Sequence, residues 1–226
     1  MTGKKFYQKV VNLIWLIPAI LIFVAPKFAE ANYYIGIVGI ESRAKNINLG
    51  DYTDLEQLDT NPLIYAQNIF EEILTTDLPQ TGLIGVDKTL NAKTLRQNES
   101  AFQKAQEDLR NSISLLDKGD TSAAVKLFDR KLDYLIYGYI TNITITHRES
   151  VATSNLAVRV DLSVRIVDVQ TGKIVCVATG KGESSSHGGS GRKSFKFGGN
   201  EISEICWHEA LEKSLNQVVD RIKKQV

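Results

Sequence analysis

Between residues 156 and 166 the apolar positions recur at every second residue. Leu156, Val158, Val160, Leu162, Val164 and Ile166 fall on one side of an extended chain, and Ala157, Arg159, Asp161, Ser163 and Arg165 on the other. Such alternation marks a strand with one buried and one wet face. The apolar phase slips at Val167, which predicts a β-bulge. Tyr134 to Thr146 reads as the preceding strand, and Ile174 to Thr179 as the next one after the turn Gln170-Thr-Gly-Lys173. Three strands joined by short turns predict an antiparallel meander.

Upstream, Tyr33 to Ile40 is unbroken apolar sequence, expected of a strand buried on both faces. Glu41 to Thr60 is polar, without period, and reads as a loop. Asn61-Pro62 opens a helix, with Asn as the cap and Pro in the first turn. Ala66, Ile69, Phe70, Ile73 and Leu74 form its apolar face, and Leu78-Pro79 ends it. Leu83 to Val86 is a short strand, so this region predicts a βαβ unit. Phe102, Ala105, Leu109, Ile113 and Leu116 mark a surface helix stopped at Gly119, and Thr121 to Arg130 a second, shorter one. In the last helix Trp207, Leu211, Leu215, Val218, Ile222 and Val226 form a stripe, with Asn200 as the expected cap. Ile202, Ile205 and Cys206 point away from that stripe, so either the first turn meets something else or the helix starts later. The order β-α-β-α-α-β-β-β-α predicts one α/β sandwich with helices packed on a mixed sheet.

The N-terminus changes this picture. Lys4, Lys5 and Lys9 precede an apolar stretch from Leu13 to Ala25, and Ala29-Glu30-Ala31 is an A-x-A cleavage signal. Residues 1–31 therefore read as a signal peptide, and 32–226 as the mature domain. An uncleaved anchor is the alternative, although the stretch is short against the roughly 20 residues of a membrane span. Without residues 1–31 the chain carries 23 basic and 25 acidic residues, about −2. That balance gives no basic field to argue for nucleic acid. Export leaves a disulfide between Cys176 and Cys206 open beside two buried free thiols, the reading the sequence favours.

Candidate chemistry is sparse. Ser184 to Asn200 is rich in Gly and Ser, basic at Arg192, Lys193 and Lys196, and aromatic at Phe195 and Phe197. These five residues form the candidate partner-binding segment, of the kind that can add a strand to a partner. His187 before Gly188-Gly-Ser-Gly191 offers a weaker phosphate-cradle reading, since the spacing is not that of a nucleotide loop. Cys206 and His208 are two apart on a helix and diverge, and His147, Arg148 and Glu149 read as solvated turn residues. Arg159, Asp161 and Arg165 read as surface charge pairing. The sequence points to no catalytic constellation, no metal site and no cofactor.

The stretch Asp133-Tyr-Leu-Ile-Tyr-Gly-Tyr-Ile140, followed by Val160-Asp-Leu-Ser-Val-Arg-Ile-Val-Asp-Val-Gln-Thr-Gly-Lys173, resembles the CsgG family, which includes the curli secretion protein and related periplasmic envelope factors. The resemblance implies an α/β sandwich, a periplasmic or outer-membrane-associated location and no enzymatic activity. The curli channel inserts two hairpins into the membrane. Their places correspond here to Thr146–Asn155 and Gly180–Asn200, and neither holds the alternating apolar run of about 9–11 residues that a membrane strand needs. The lipid-bearing Cys of that channel is absent from the cleavage region. The expectation is a non-enzymatic module that binds another cell-envelope protein, as the lipoprotein activators of peptidoglycan synthases do. A homo-oligomer is compatible with it, and membrane contact after cleavage is peripheral or none. The alternatives are a subunit of an outer-membrane secretion channel, or a ligand sensor or enzyme using the Gly-rich 180–199 loop.

Overall fold

The unbroken apolar run at the start of the domain becomes a central strand. β1 (Tyr33–Ser42) pairs in parallel with β2 (Leu83–Val86) on one side and with β3 (Tyr134–Ser150) on the other. β3, β4 (Thr153–Asp168) and β5 (Ile174–His187) then form the expected antiparallel meander, so the sheet order is β2-β1-β3-β4-β5. The computed structural model describes residues 33–45, 61–86, 88, 99–150, 153–187, 194–197 and 200–225. The expected signal segment with Ala29 and Ala31, the 46–60 loop, and Arg192 and Lys193 lie outside these residues. The compact unit that holds the sheet begins at Tyr33.

Helices cover both faces of the sheet. α1 (Pro62–Asp77) and α4 (Glu204–Lys223) lie on one side, where Phe70, Leu74, Trp207 and Leu211 pack against Ile35, Val160 and Val164. α2 (Glu99–Leu116) and the short α3 (Ser122–Val125) lie on the other, where Leu109, Ile113 and Phe128 meet Val38, Leu135, Tyr137 and Val167. This second core explains the apolar slip read at Val167. β4 keeps its alternation through that point, and the face carrying Arg165 becomes covered one step further on. The ladder does have an irregularity here, but the extra residue is Val175 on β5, because Ile166 opposes Cys176 and Val167 opposes Ile174.

Asn61 caps α1 as expected, its Oδ1 accepting from the amides of Leu63 (2.8 Å) and Ile64 (3.2 Å). Three other expectations are corrected. The helix expected over Thr121 to Arg130 is a single turn, Ser122–Val125. α4 is capped by Ser203, not Asn200: the Ser203 hydroxyl accepts from the Cys206 amide at 3.3 Å, and Ile202 belongs to a strand. In the segment read as a Gly-rich loop, the described residues are strand. β5 runs on to His187, and β6 (Ser194–Phe197) and β7 (Asn200–Ser203) form a separate hairpin.

The physical reason for the last correction lies in Gly180 and Gly182. A Cβ on either would sit 1.9 Å from a carbonyl oxygen of α4, Ser214 for Gly180 and Ala210 for Gly182. Glycine here is a packing requirement, because the α4 backbone rests directly on β5. α4 also covers the free edge of that strand. Gln217 Oε1 accepts from the Lys181 amide (3.1 Å), Gln217 Nε2 donates to the Lys181 carbonyl (2.8 Å), and Lys213 Nζ donates to the Glu183 carbonyl (3.1 Å). One glutamine thus replaces one rung of a neighbouring strand and blunts an edge open to pairing with another chain.

Gly182→Ala forces α4 off the sheet and is expected to cost about 3 kcal/mol, the upper range for overpacking. Chemical denaturation checks this, and an unchanged midpoint contradicts the close approach. Gln217→Ala should lose only about 1 kcal/mol, but should raise self-association measured by light scattering.

Candidate interaction surfaces

Because β1, β2, β3 and β5 run in the same direction, the sheet has two chemically different ends. At one, β3 and β4 extend as a long hairpin whose last paired residues are Ser150 and Thr153, beside the end of β5. The stretch Thr146–Asn155, expected as a turn, is therefore mostly strand, and His147, Arg148 and Glu149 lie on β3. The β6–β7 hairpin closes this end over α1 and α4. Phe195 and Ile202 oppose each other in its register, and both are buried.

This placement corrects one expectation. Phe195, expected on a partner surface, is only 1% exposed and packs its ring 5.4 Å from that of Tyr65. It is a core residue that ties the hairpin to α1. Lys196 and Phe197 occupy β6 opposite Glu201 and Asn200. His187 ends β5, opposite Asn155. His208 does not approach Cys206 chemistry: its Nδ1 shares a hydrogen bond with the Tyr65 hydroxyl at 2.9 Å, and Glu212 lies 3.8 Å from its Nε2. Cys176 and Cys206 are both buried and form no disulfide with each other, and the Cys176 thiol donates to Gln225 Oε1 at 3.0 Å. Burial pushes the Cys176 thiol pKa up, away from the reactive thiolate.

A highly connected polar group among the described residues is one the sequence did not single out. Asp117, just past α2, accepts from Tyr137 (3.0 Å) and Arg165 (2.8 Å) on Oδ1, and from Arg43 (2.5 Å) and Tyr139 (2.7 Å) on Oδ2. Arg43 also stacks 3.5 Å from the Tyr139 ring centre. Burial works against the charged form, but the bonds from Arg43, Tyr139 and Tyr137 outweigh it and hold the carboxyl below its ordinary value. Burial and the Asp117 charge push the Tyr139 hydroxyl the other way, well above the usual tyrosine range. Four donors fill the lone-pair sites of a carboxylate, so Asp117 has none left to act as a base. The cluster is a fastener linking α2 to β1, β3 and β4. Its sequence signal is Tyr137 and Tyr139 two apart on a strand, since buried tyrosine hydroxyls need partners.

Arg159 pairs with Asp161 at 3.1 Å on β4, as read, whereas Arg165 is drawn instead to Asp117. A cleft of about 490 Å³ opens beside α2 and α3, with Gln67, Gln106 and Ser112 beside Leu109 and Leu127 in its wall. The Lys88 ammonium at its rim is held by Glu71 (2.6 Å) and the Val38 carbonyl (3.0 Å). Among the described residues no group of three or more His, Cys, Asp or Glu is placed to hold a metal ion.

The resemblance read from the sequence is borne out over the C-terminal part of the chain. The family model for the curli production assembly/transport component CsgG matches residues 148–226. That segment builds β4, β5, the β6–β7 hairpin and α4. Among solved structures the chain is similar to lipoprotein GNA1162 of Neisseria meningitidis, at 12% identity over 70% of this chain and 88% of that one, with a TM-score of 0.37. It is also similar to the hypothetical protein CT253 of Chlamydia trachomatis, at 12% identity over 86% and 98% of the two chains, with a TM-score of 0.42. The C-terminal domain of LpoB from Salmonella enterica aligns at 11% identity over 73% and 92%, with a TM-score of 0.27. No curated protein matches the chain in sequence.

Asp117→Asn should cost about 2 kcal/mol, the range for hydrogen bonds to a charged group, while Asp161→Asn should stay within about 0.5 kcal/mol because its pair is solvent-screened. The Asp117 carboxyl is depressed in the fold, so its stabilisation is full above the ordinary carboxylate value of 3.8 and lost as the pH falls below it. Denaturation midpoints measured from neutral pH downward should fall for the parent in that acid range and less steeply for Asp117→Asn. Equal slopes contradict the assignment.

Proposed function

We propose that this chain is a non-enzymatic, CsgG-like module of the cell envelope that binds another envelope protein in envelope or surface-structure assembly, from the periplasmic side. The observation that supports this reading most directly is the CsgG match to residues 148–226, the segment that forms β4, β5, the small hairpin and α4. The saturated Asp117 carboxylate and the buried, unactivated Cys176 thiol fit a binding role better than a catalytic one. Gly180 and Gly182 serve helix packing, which weakens the reading of the 180–199 stretch as a ligand loop. The docking segment under this proposal is the connection carrying Arg192 and Lys193, with Lys196 and Phe197 on β6. Among the described residues no helix is long and apolar enough to cross a membrane, which bears on helices alone.

The second reading, a subunit of an oligomeric outer-membrane channel, draws on the length of the β3–β4 hairpin, 17 and 16 residues. Its far part carries His147, Arg148 and Glu149, and charged residues on a lipid-facing strand are costly.

The test is crosslinking and capture from intact cells with the tagged chain, comparing the parent with Arg192→Glu/Lys193→Glu, followed by reconstitution with the purified captured protein. One defined envelope protein held by the parent and released at least about tenfold by the variant supports the proposal. Equal capture by both moves the docking site elsewhere, and a detergent-resistant ring in the membrane fraction establishes the channel instead.

A further inference from the structure

The Tyr65 hydroxyl of α1 faces two groups of α4 that compete for its one proton. His208 Nδ1 lies 2.9 Å away. The Glu204 carboxylate, one turn earlier on α4, also accepts a hydrogen bond from this hydroxyl. Burial, the charges of Glu204 and Glu72 and that bond hold the hydroxyl above the usual tyrosine value, so it keeps its proton and acts as a donor. Across the imidazole, His208 Nε2 is 3.8 Å from Glu212 Oε2. Glu204, Tyr65, His208 and Glu212 thus form a row that crosses from α4 to α1 and back.

Counting protons along this row separates the two charge states of the imidazole. A neutral imidazole carries one N–H. With that proton on Nε2, Nδ1 accepts from Tyr65, and Glu204 loses the hydroxyl. With it on Nδ1, Tyr65 can turn to Glu204, but the Nε2 lone pair then faces the Glu212 carboxylate. Imidazolium has both protons. Its Nδ1–H donates to the Tyr65 oxygen, Tyr65 donates to Glu204, and Nε2–H points at Glu212. The charged form alone satisfies the whole row, and its bonds are of the stronger, charge-assisted kind.

The surroundings agree in sign. From α1 the titratable groups at this junction are Tyr65 and Glu72, and from α4 they are Glu204 and Glu212. Glu209 is engaged by the Ser184 hydroxyl of β5 (2.6 Å) and lies 3.9 Å from Lys213. The hairpin brings Lys196 and Glu201, which oppose each other in its register.

This row adjoins the β6–β7 hairpin. The Tyr65 ring is 5.4 Å from the Phe195 ring on β6 and 5.9 Å from the His208 imidazole. Among the described residues the hairpin pairs with no strand of the main sheet, and Phe195 and Ile202 seat it in the core. Its hold on α1 runs through a ring whose hydroxyl is set by His208. Imidazole is the side chain that ordinarily changes charge between about pH 5 and 8.

We propose that the Glu204–Tyr65–His208–Glu212 row is a proton-operated latch: proton uptake by His208 fastens Tyr65 between α4 and Phe195 and holds the β6–β7 hairpin closed, and proton loss loosens it. Closure is favoured on the acid side of the imidazole range and weakens as the pH rises through it. Where β6 carries the docking residues Lys196 and Phe197, as proposed above, the latch also controls how they are presented, and that consequence alone rests on the docking reading.

The experiment is amide hydrogen exchange of the full chain, read by mass spectrometry in peptides spanning residues 194–203. It is run at about pH 5.5 and about pH 7.5 and corrected for intrinsic exchange rates, with β4 peptides as the internal reference. The parent hairpin should be about fivefold more protected at the lower pH, the scale of one net hydrogen bond, with β4 unchanged. His208→Gln should remove the difference. Tyr65→Phe, which keeps the ring against Phe195, should remove it too, whereas His187→Gln should leave it in place. Equal parent protection at the two pH values overturns the proposal, as does greater protection at the higher one. An undiminished difference in His208→Gln or Tyr65→Phe also overturns it. Partner capture plays no part in this readout, so failure of the latch and failure of the docking reading are told apart.

Discussion

Helix α4 lies on strand β5 with no side chain between them at Gly180 and Gly182, and much of the remaining architecture follows from that approach. It places Trp207, Leu211, Leu215 and Val218 at the depth where they meet α1 and the sheet, with the Trp207 indole donating to the Pro62 carbonyl at 3.1 Å. It also brings Gln217 and Lys213 within reach of the outer backbone edge of β5. A larger residue at either glycine would separate both sets of contacts together, because protein interiors close-pack and do not stretch to fill a gap.

The opposite face is held by a different kind of force. There Asp117 fastens the helix layer by drawing Tyr137 and Tyr139 of β3, Arg165 of β4 and Arg43, just past β1, onto one carboxylate. The arrangement satisfies buried tyrosine hydroxyls and fixes the end of α2. A carboxylate so occupied is a structural group.

The two ends of the sheet differ in chemistry. The hairpin end carries the long β3–β4 ribbon and the β6–β7 hairpin. The strand-start end carries exposed tyrosines, Ile174 and Val175, with charges of both signs around them. The CsgG match over residues 148–226 is the observation behind the proposed envelope setting.

Much of the fold was legible in the sequence because burial writes its period directly into the chain. The alternation of β4, the apolar run of β1, the Asn61-Pro62 start of α1 and the stripe of α4 each record a local geometry that any packing partner would require. The sequence by itself determined the element types, most of their order and the resemblance of Asp133–Lys173 to the CsgG family. It did not reveal the second core, since the residues that build it, Val38, Tyr137, Tyr139 and Val167, come from distant strands whose shared face exists only after pairing. Nor did it show that Gly180 and Gly182 are a platform, because glycine has the same appearance in a loop and under a helix. Phe195 was placed outside and lies inside for a related reason: two residues of a four-residue strand are too few to show which face is buried. Only the tertiary structure decided which apolar residues find cover and which, like Val175, remain at the surface, because exposure depends on neighbours that chain order does not specify.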